Sequence, residues 1–255
     1  MDSATDVFSD DGFLDGRLKI LQPRKGFRAG VDSVFLAAAV PARPGDTVFE
    51  AGTGPGVAAL CLAARVPDLQ ITGVEENPTY AMLAEKNAAR NALGGTLRVI
   101  RGDIRNALKP DIAGMPEQNT FQHAFANPPY FEEGTVMEPR SSLRSRAHVF
   151  GPEDLDLWVK AMTAMVVHRG TVTVIYPARF LDRLLGAFSA RLGGIRIAPL
   201  HPRAGAPASR VIIQGTKGSR EPVRVLPGMI LHDVTGDFTV PARRILRKGD
   251  PFPMG

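Results

Sequence analysis

The chain has 255 residues, 44% of them hydrophobic and 22% charged, which suits one large buried core and argues against disorder. No apolar run approaches the roughly 18 residues of a membrane helix, and the acidic N-terminus (Asp2, Asp6, Asp10, Asp11) does not read as a signal peptide. The formal charge is +5, carried unevenly, and a lone cysteine, Cys61, with five scattered histidines offers neither a disulfide nor a structural metal site. A reducing, cytoplasmic setting is the default expectation.

Residues 1–10 read as loose chain, and Arg17 to Gln22 alternates as a short strand. Gly26-Phe27-Arg28 reads as a turn. Asp32 or Ser33 can cap a helix that runs through Ala39 and stops before Pro41. Asp46 to Ala51 is an apolar strand. It enters the turn Gly52-Thr53-Gly54-Pro55-Gly56, and a helix follows to about Arg65. A second strand, Ile71 to Val74, ends at Glu75. Pro78 suits the first position of a helix reaching about Asn91. Leu97 to Ile100 is a third strand, ending near Asp103, and Phe121 to Ala126 a fourth.

The fourth strand meets Asn127-Pro128-Pro129-Tyr130, where two prolines force a turn. A long basic stretch covers Phe131 to Phe150. Glu153 to Val167 has helical periodicity, Thr171 to Tyr176 is a fifth strand, and Leu181 to Leu192 a helix. Gly194 to Leu200 and Ser209 to Gln214 read as paired strands around a loop rich in Pro, Arg, Gly and Ala. The tail gives a strand over Val223 to Leu226 and a short helix near Arg243. Strands alternating with helices and closed by a hairpin predict an α/β, Rossmann-like class I methyltransferase fold. Its sheet would be doubly wound, mainly parallel and seven-stranded, with a C-terminal antiparallel hairpin. The whole chain reads as a single domain, with an N-terminal extension over 1–44, a core over 45–217 and a tail over 218–255.

In open α/β sheets ligands bind at the carboxyl ends of the strands. Four strand ends here carry chemistry. The glycine turn lets backbone approach a ligand, and the helix N-terminus behind it supplies free N–H donors. Its spacing is G-x-G-x-G; the dinucleotide fingerprint would need glycine where Val57 stands. That disfavours NAD and suits S-adenosylmethionine, which has no phosphates. The candidate cofactor residues are Glu50, Gly52, Gly54, Gly56, Glu75, Asp103 and Asn127. Glu50 would meet the cationic methionine end, Glu75 both ribose hydroxyls, and Asp103 the adenine amine. Asn127, Pro128, Pro129 and Tyr130 are the candidate catalytic group. The Asn127 side-chain oxygen and the Pro128 carbonyl can accept from a planar –NH2 group while Tyr130 stacks on it.

Three basic segments point to a polyanion partner: Arg17 to Arg28, Arg140 to Arg146, and Arg191 to Arg224. Candidate substrate contacts are Tyr130, Phe131, Arg28, Arg140, Arg144, Arg203 and Arg210. Phe27 is either a pocket lining or the buried phenylalanine of a turn, and Asp32 reads as a helix cap. Trp158 reads as core, and His148 and His201 as surface or loop residues.

Asn-Pro-Pro-Tyr resembles the signature of methyltransferases that modify exocyclic base amines or glutamine amides. With Gln22-Pro23, Gly26-Phe27-Arg28, Val31-Asp32-Ser33, the glycine motif, His201-Pro202-Arg203 and the Arg210 strand, the chain resembles the bacterial tRNA1(Val) adenine-N6 methyltransferase family over most of residues 15–248. It departs mildly in having Glu50 where Asp is commoner and Thr53 where Cys is common. The resemblance implies S-adenosylmethionine as methyl donor and adenine 37 of tRNA(Val), in the anticodon stem-loop, as target. The same chemistry on an rRNA amine or a release-factor glutamine, or a non-catalytic RNA-binding protein on the same fold, are the alternatives. The sequence leaves the oligomeric state open.

Overall fold

The computed structural model describes residues 7–109, 114–130 and 152–255. Its centre is one sheet. Strands β3 (Thr47–Ala51), β4 (Gln70–Glu75), β5 (Leu97–Arg101), β6 (Phe121–Ala126) and β7 (Val166–Pro177) run parallel to one another. Strands β8 (Leu192–His201) and β9 (Arg210–Lys217) form the closing hairpin, with β9 inserted antiparallel between β7 and β8. The order β8-β9-β7-β6-β3-β4-β5 is the expected seven-stranded arrangement. Two short strands, β10 (Arg224–Val225) and β11 (Met229–Ile230), extend it to nine by pairing parallel with β8. The tail therefore adds to the sheet: β10 falls within the strand expected over Val223 to Leu226, whereas the two-residue β11 has no periodicity to announce it.

Helices cover both faces because alternate residues of each strand are apolar in both directions. Along β3, Val48 joins the core under α1 (Val31–Ala39) and α2 (Val57–Arg65). Phe49 and Ala51 join the opposite core under α4 (Pro152–Met165) and α5 (Leu181–Ser189). Helix α3 (Pro78–Arg90) begins as expected: Pro78 lacks the N–H a first turn would leave unpaired, and Asn77 Oδ1 accepts from Thr79 N and Tyr80 N. The chain ends the helices earlier than their periodicity suggests. Val166 and Leu192 begin strands rather than finishing α4 and α5, since one apolar residue serves either element.

The N-terminus departs further. A hairpin of β1 (Phe8–Phe13) and β2 (Leu18–Pro23) forms a separate sheet, so residues 8–10 are strand and not loose chain. Their acidic side chains hid it, and one pairs outward: Arg90 reaches Asp10 at 2.7 Å. Asn87 on α3 is fully buried and locks the hairpin to the cofactor turn. Its Nδ2 donates to Leu21 O and Pro55 O, and its Oδ1 accepts from Leu21 N. Three satisfied bonds make a buried amide affordable. The tail helix α6 (Val240–Arg243) leads into a π-helical turn, Arg244–Lys248, whose Ile245 packs in the α1 core.

Candidate active site

Strand register places the functional residues in a row. Ala51 pairs with Val74 on one side and Ala126 on the other. Gly52 and Asn127 follow those pairs and leave the sheet beside Glu75, the last residue of β4, at its carboxyl edge. The glycine turn is held by Gly52 N and Thr53 N, which both donate to Val74 O. Gly52, Gly54 and Gly56 all have positive φ, at 68°, 55° and 86°. Each also meets a different neighbour. A β-carbon on Gly52 would run into the Trp158 ring, one on Gly54 would lie 3.4 Å from Phe27, and one on Gly56 would lie 3.2 Å from Ala84 of α3. Gly56 thus permits helix packing, while Gly52 and Gly54 shape the turn itself.

Glu75 is buried and does more than end a strand. Its Oε2 accepts the Gly54 N–H at 2.8 Å and its Oε1 the Asn77 N–H at 2.8 Å. Each carboxylate oxygen keeps a second lone pair for a diol. Burial raises the Glu75 pKa above its ordinary value, and the two backbone donors act against that. Glu50 is sealed at 3% exposure, and its Oε2 has no hydrogen-bond partner among the described residues. Burial, then the charge of Glu75, pushes its pKa well above 4.5. A buried carboxyl with one oxygen left unpartnered behind the glycine turn fits a ligand that brings a cationic group. Thr53 Oγ1 is a second buried polar atom at this turn, beside Glu50. Asp103 caps the turn Ile104–Asn106 and is bound by Arg105, whose Nε lies 2.8 Å from Oδ1. Its carboxylate is therefore already oriented beside the third strand end.

The tetrapeptide is built on a second cluster. The Tyr130 hydroxyl lies 2.6 Å from Asp32 Oδ2 and 3.2 Å from Asn127 Oδ1. Arg210 Nε donates to the same Asp32 oxygen at 2.8 Å, and its guanidinium sits 4.9 Å over the Tyr130 ring. Tyr176 meets Tyr130 edge-on at 5.8 Å and donates to Pro129 O at 3.2 Å. Pro128 is buried, Pro129 exposed.

These contacts revise several expectations. Asp32 does not cap α1: Gly30 occupies the N-cap with no side-chain bond, and Asp32 instead joins Tyr130 and Arg210, 98 and 178 residues away. Nothing local in the sequence marks that contact. Phe27 is not buried. It is 47% exposed, stands over Gly54, and meets Tyr80 edge-on at 6.3 Å. The Tyr80 hydroxyl accepts from Phe27 N at 3.0 Å, so the turn presents its ring at the glycine loop. Arg28 turns inward to the hairpin, where Asp11 at 2.7 Å, Ser9 and Pro23 O take its Nη atoms. Those bonds tie Arg28 to the hairpin, and it stays exposed. Arg203 is exposed on the β8–β9 loop. Trp158 is core, as expected, and His201 closes its loop through Ala206 O. Phe131, Arg140, Arg144 and His148 lie outside the described residues.

Comparison with known proteins agrees with this geometry. Residues 28–141 match the family model of the methyltransferase small domain. The tRNA1(Val) (adenine(37)-N6)-methyltransferase of Actinobacillus succinogenes is 29% identical over 212 residues, covering 83% of this chain and 86% of its own. The protein of the same name from Porphyromonas gingivalis is 26% identical over 257 residues, covering 97% and 95%. A solved structure described as a predicted O-methyltransferase from Agrobacterium tumefaciens superposes with a TM-score of 0.71 over 87% of this chain and 98% of its own, at 23% identity, a likeness of fold. The chain has the fold of class I methyltransferases, matches the methyltransferase small domain over residues 28–141, and is similar over nearly its whole length to tRNA1(Val) (adenine(37)-N6)-methyltransferases.

Proposed function

We propose that the chain methylates the exocyclic N6 amine of adenine 37 in tRNA(Val), with S-adenosylmethionine as donor. The observation that carries this reading is the register of Ala51 with Ala126, which sets Asn127 beside the glycine turn at one edge of the sheet. When bound, the donor supplies an electrophilic methyl group on a sulfonium. Glu75 accepts the ribose hydroxyls, Glu50 balances the cationic methionine end, and Asp103 faces the adenine amine. Phe27 covers the turn.

The target amine is a poor nucleophile because its lone pair is delocalised into the ring. Asn127 Oδ1 and the Pro128 carbonyl accept its two hydrogens and hold the lone pair toward the donor. Positioning of this kind supplies much of the rate. The base must leave its stack, which costs less in an anticodon loop than in a duplex, and Tyr130 returns about 1–3 kcal/mol by stacking. The proton leaves to water after transfer, so no general base is assigned. Arg203 reaches the RNA backbone, with Phe131, Arg140 and Arg144 as further contacts.

The test is direct. Purified protein and labelled donor are incubated with a tRNA(Val) transcript, with the same transcript carrying guanine at position 37, and with total cellular protein. N6-methyladenosine in the first alone is the expected result. Label in the protein fraction, and none in tRNA, would move the assignment to a glutamine amide.

A further inference from the structure

The hydrogen-bond arithmetic around Tyr130 carries a consequence for Asn127. Among the described residues, the phenol oxygen lies 2.6 Å from Asp32 Oδ2 and 3.2 Å from Asn127 Oδ1, both acceptors, with the Arg210 guanidinium as a donor beside it. A phenol has one proton. The shorter contact is to a carboxylate, the stronger acceptor, so the proton goes to Asp32. The phenol then has no proton left for Asn127 Oδ1. The oxygen and nitrogen of an amide are alike in shape, and which one faces a partner follows from the hydrogen-bond network. Half a turn of the amide makes Nδ2 donate to the phenol oxygen and sends Oδ1 away from Tyr130.

We propose that Asp32 is a positioning residue that sets the orientation of the Asn127 amide through the Tyr130 hydroxyl. The inference rests on the reading of Asn127 as acceptor of the target amine. By taking the only phenol proton, Asp32 leaves Tyr130 as an acceptor toward Asn127. The amide then offers its nitrogen to Tyr130 and its oxygen to the substrate. With Asp32 absent, the phenol proton turns to Asn127 Oδ1 and occupies the lone pair the substrate amine needs.

Two further observations support the relay. Arg210 Nε donates to the same Asp32 oxygen at 2.8 Å, so the carboxylate is held in place, and it is 19% exposed. Burial first, and the Asp32 charge second, raise the Tyr130 pKa above its ordinary value, which keeps the phenol protonated. The three elements come from helix α1, the end of β6 and the start of β9. The site is assembled only when the closing hairpin docks beside α1.

The experiment compares wild type with Asp32→Ala, Asp32→Asn, Tyr130→Phe and the double variant Asp32→Ala/Tyr130→Phe. Single-turnover rates are read on tRNA(Val), and donor affinity by calorimetry. Asp32→Ala is expected to lower the rate by about tenfold or more, equivalent to one misplaced hydrogen bond, and to leave donor affinity within about twofold. Asp32→Asn keeps an oxygen in place for both donors and should retain more activity than Asp32→Ala. The double variant should be no slower than the slower single variant, because both act on one amide. Rate losses that multiply would overturn the relay, as would Asp32→Ala turning over like wild type.

A readout independent of RNA is the Tyr130 signal in tyrosine-labelled protein, assigned by its loss in Tyr130→Phe among three tyrosines. It should titrate at lower pH in Asp32→Asn than in wild type. An unchanged titration overturns the inference. The expected shift, with no methylation of tRNA(Val) by wild type, would leave the relay standing and remove the proposed substrate.

Discussion

Replacing Glu75 by Ala separates two roles that one carboxylate performs. Oε2 and Oε1 each accept a backbone N–H at 2.8 Å, from Gly54 and Asn77, in a buried setting. Removing the carboxylate leaves both donors unpaired, at roughly 1–3 kcal/mol for each buried group. Relief from burying a charge offsets part of that, so a net loss of about 2 kcal/mol is expected. For a chain of this size that lowers Tm by about 4–8 °C. The ribose contact is a separate loss of about 1.5–3 kcal/mol, a roughly 10- to 100-fold weaker donor affinity. Calorimetry with S-adenosylmethionine and a thermal melt on the same sample read the two. A melt that falls while affinity holds would leave Glu75 a clamp of the glycine turn and refute the ribose assignment. Unchanged values for both would refute the hydrogen-bond accounting itself.

Other outcomes follow from the same geometry. Asn127→Ala should lower kcat strongly and leave donor affinity nearly intact; equal kcat in a folded variant would make the tetrapeptide a turn and nothing more. Glu50 has a folded-state pKa raised above its unfolded value of 4.5. The ligand-free protein should therefore lose stability as pH rises from 4.5 through that raised value, and Glu50→Gln should flatten the melting profile over the same window. Gly52→Ala should fail to reach wild-type stability, because its φ of 68° and the Trp158 ring leave no room for a β-carbon; a wild-type melt would refute this. Arg203→Ala should weaken tRNA binding and flatten its salt dependence by about one unit, with kcat unchanged, if Arg203 meets a phosphate.

The strands, the glycine turn and the tetrapeptide were legible in the chain because they are local. Apolar runs, Gly and Pro fix β3 to β6 and their ends within a few residues, and a strand's alternation needs no partner to be read. The row formed by Gly52, Glu75 and Asn127 was implied by those ends, since parallel strands in one sheet expose them at one edge. The strand at Arg17 to Gln22 was legible and is β2; its partner β1, concealed by acidic residues, completes a hairpin that Asn87 and Arg90 of α3 receive. Strand β10 was legible as Val223 to Leu226, while the two-residue β11 has no signal of its own; both pair with β8.

The roles of single side chains divide in the same way. Glu75 announced itself by following the glycine turn at the expected distance, yet its grip on Gly54 is a tertiary fact. As sequence, Arg28 and Arg210 are both arginines of basic segments and candidate RNA contacts, with Arg210 the stronger candidate. Folding commits the first to the hairpin and the second to Asp32 and the Tyr130 ring. Asp32 stood in the first turn of a helix, where an acid is ordinarily a cap, and only long-range packing made it part of the site. Sequence fixes what each segment can form because helix and strand periodicity is a short-range property of the backbone. Which charged groups end up paired depends on contacts across 98 and 178 residues, and those exist only once the sheet has closed.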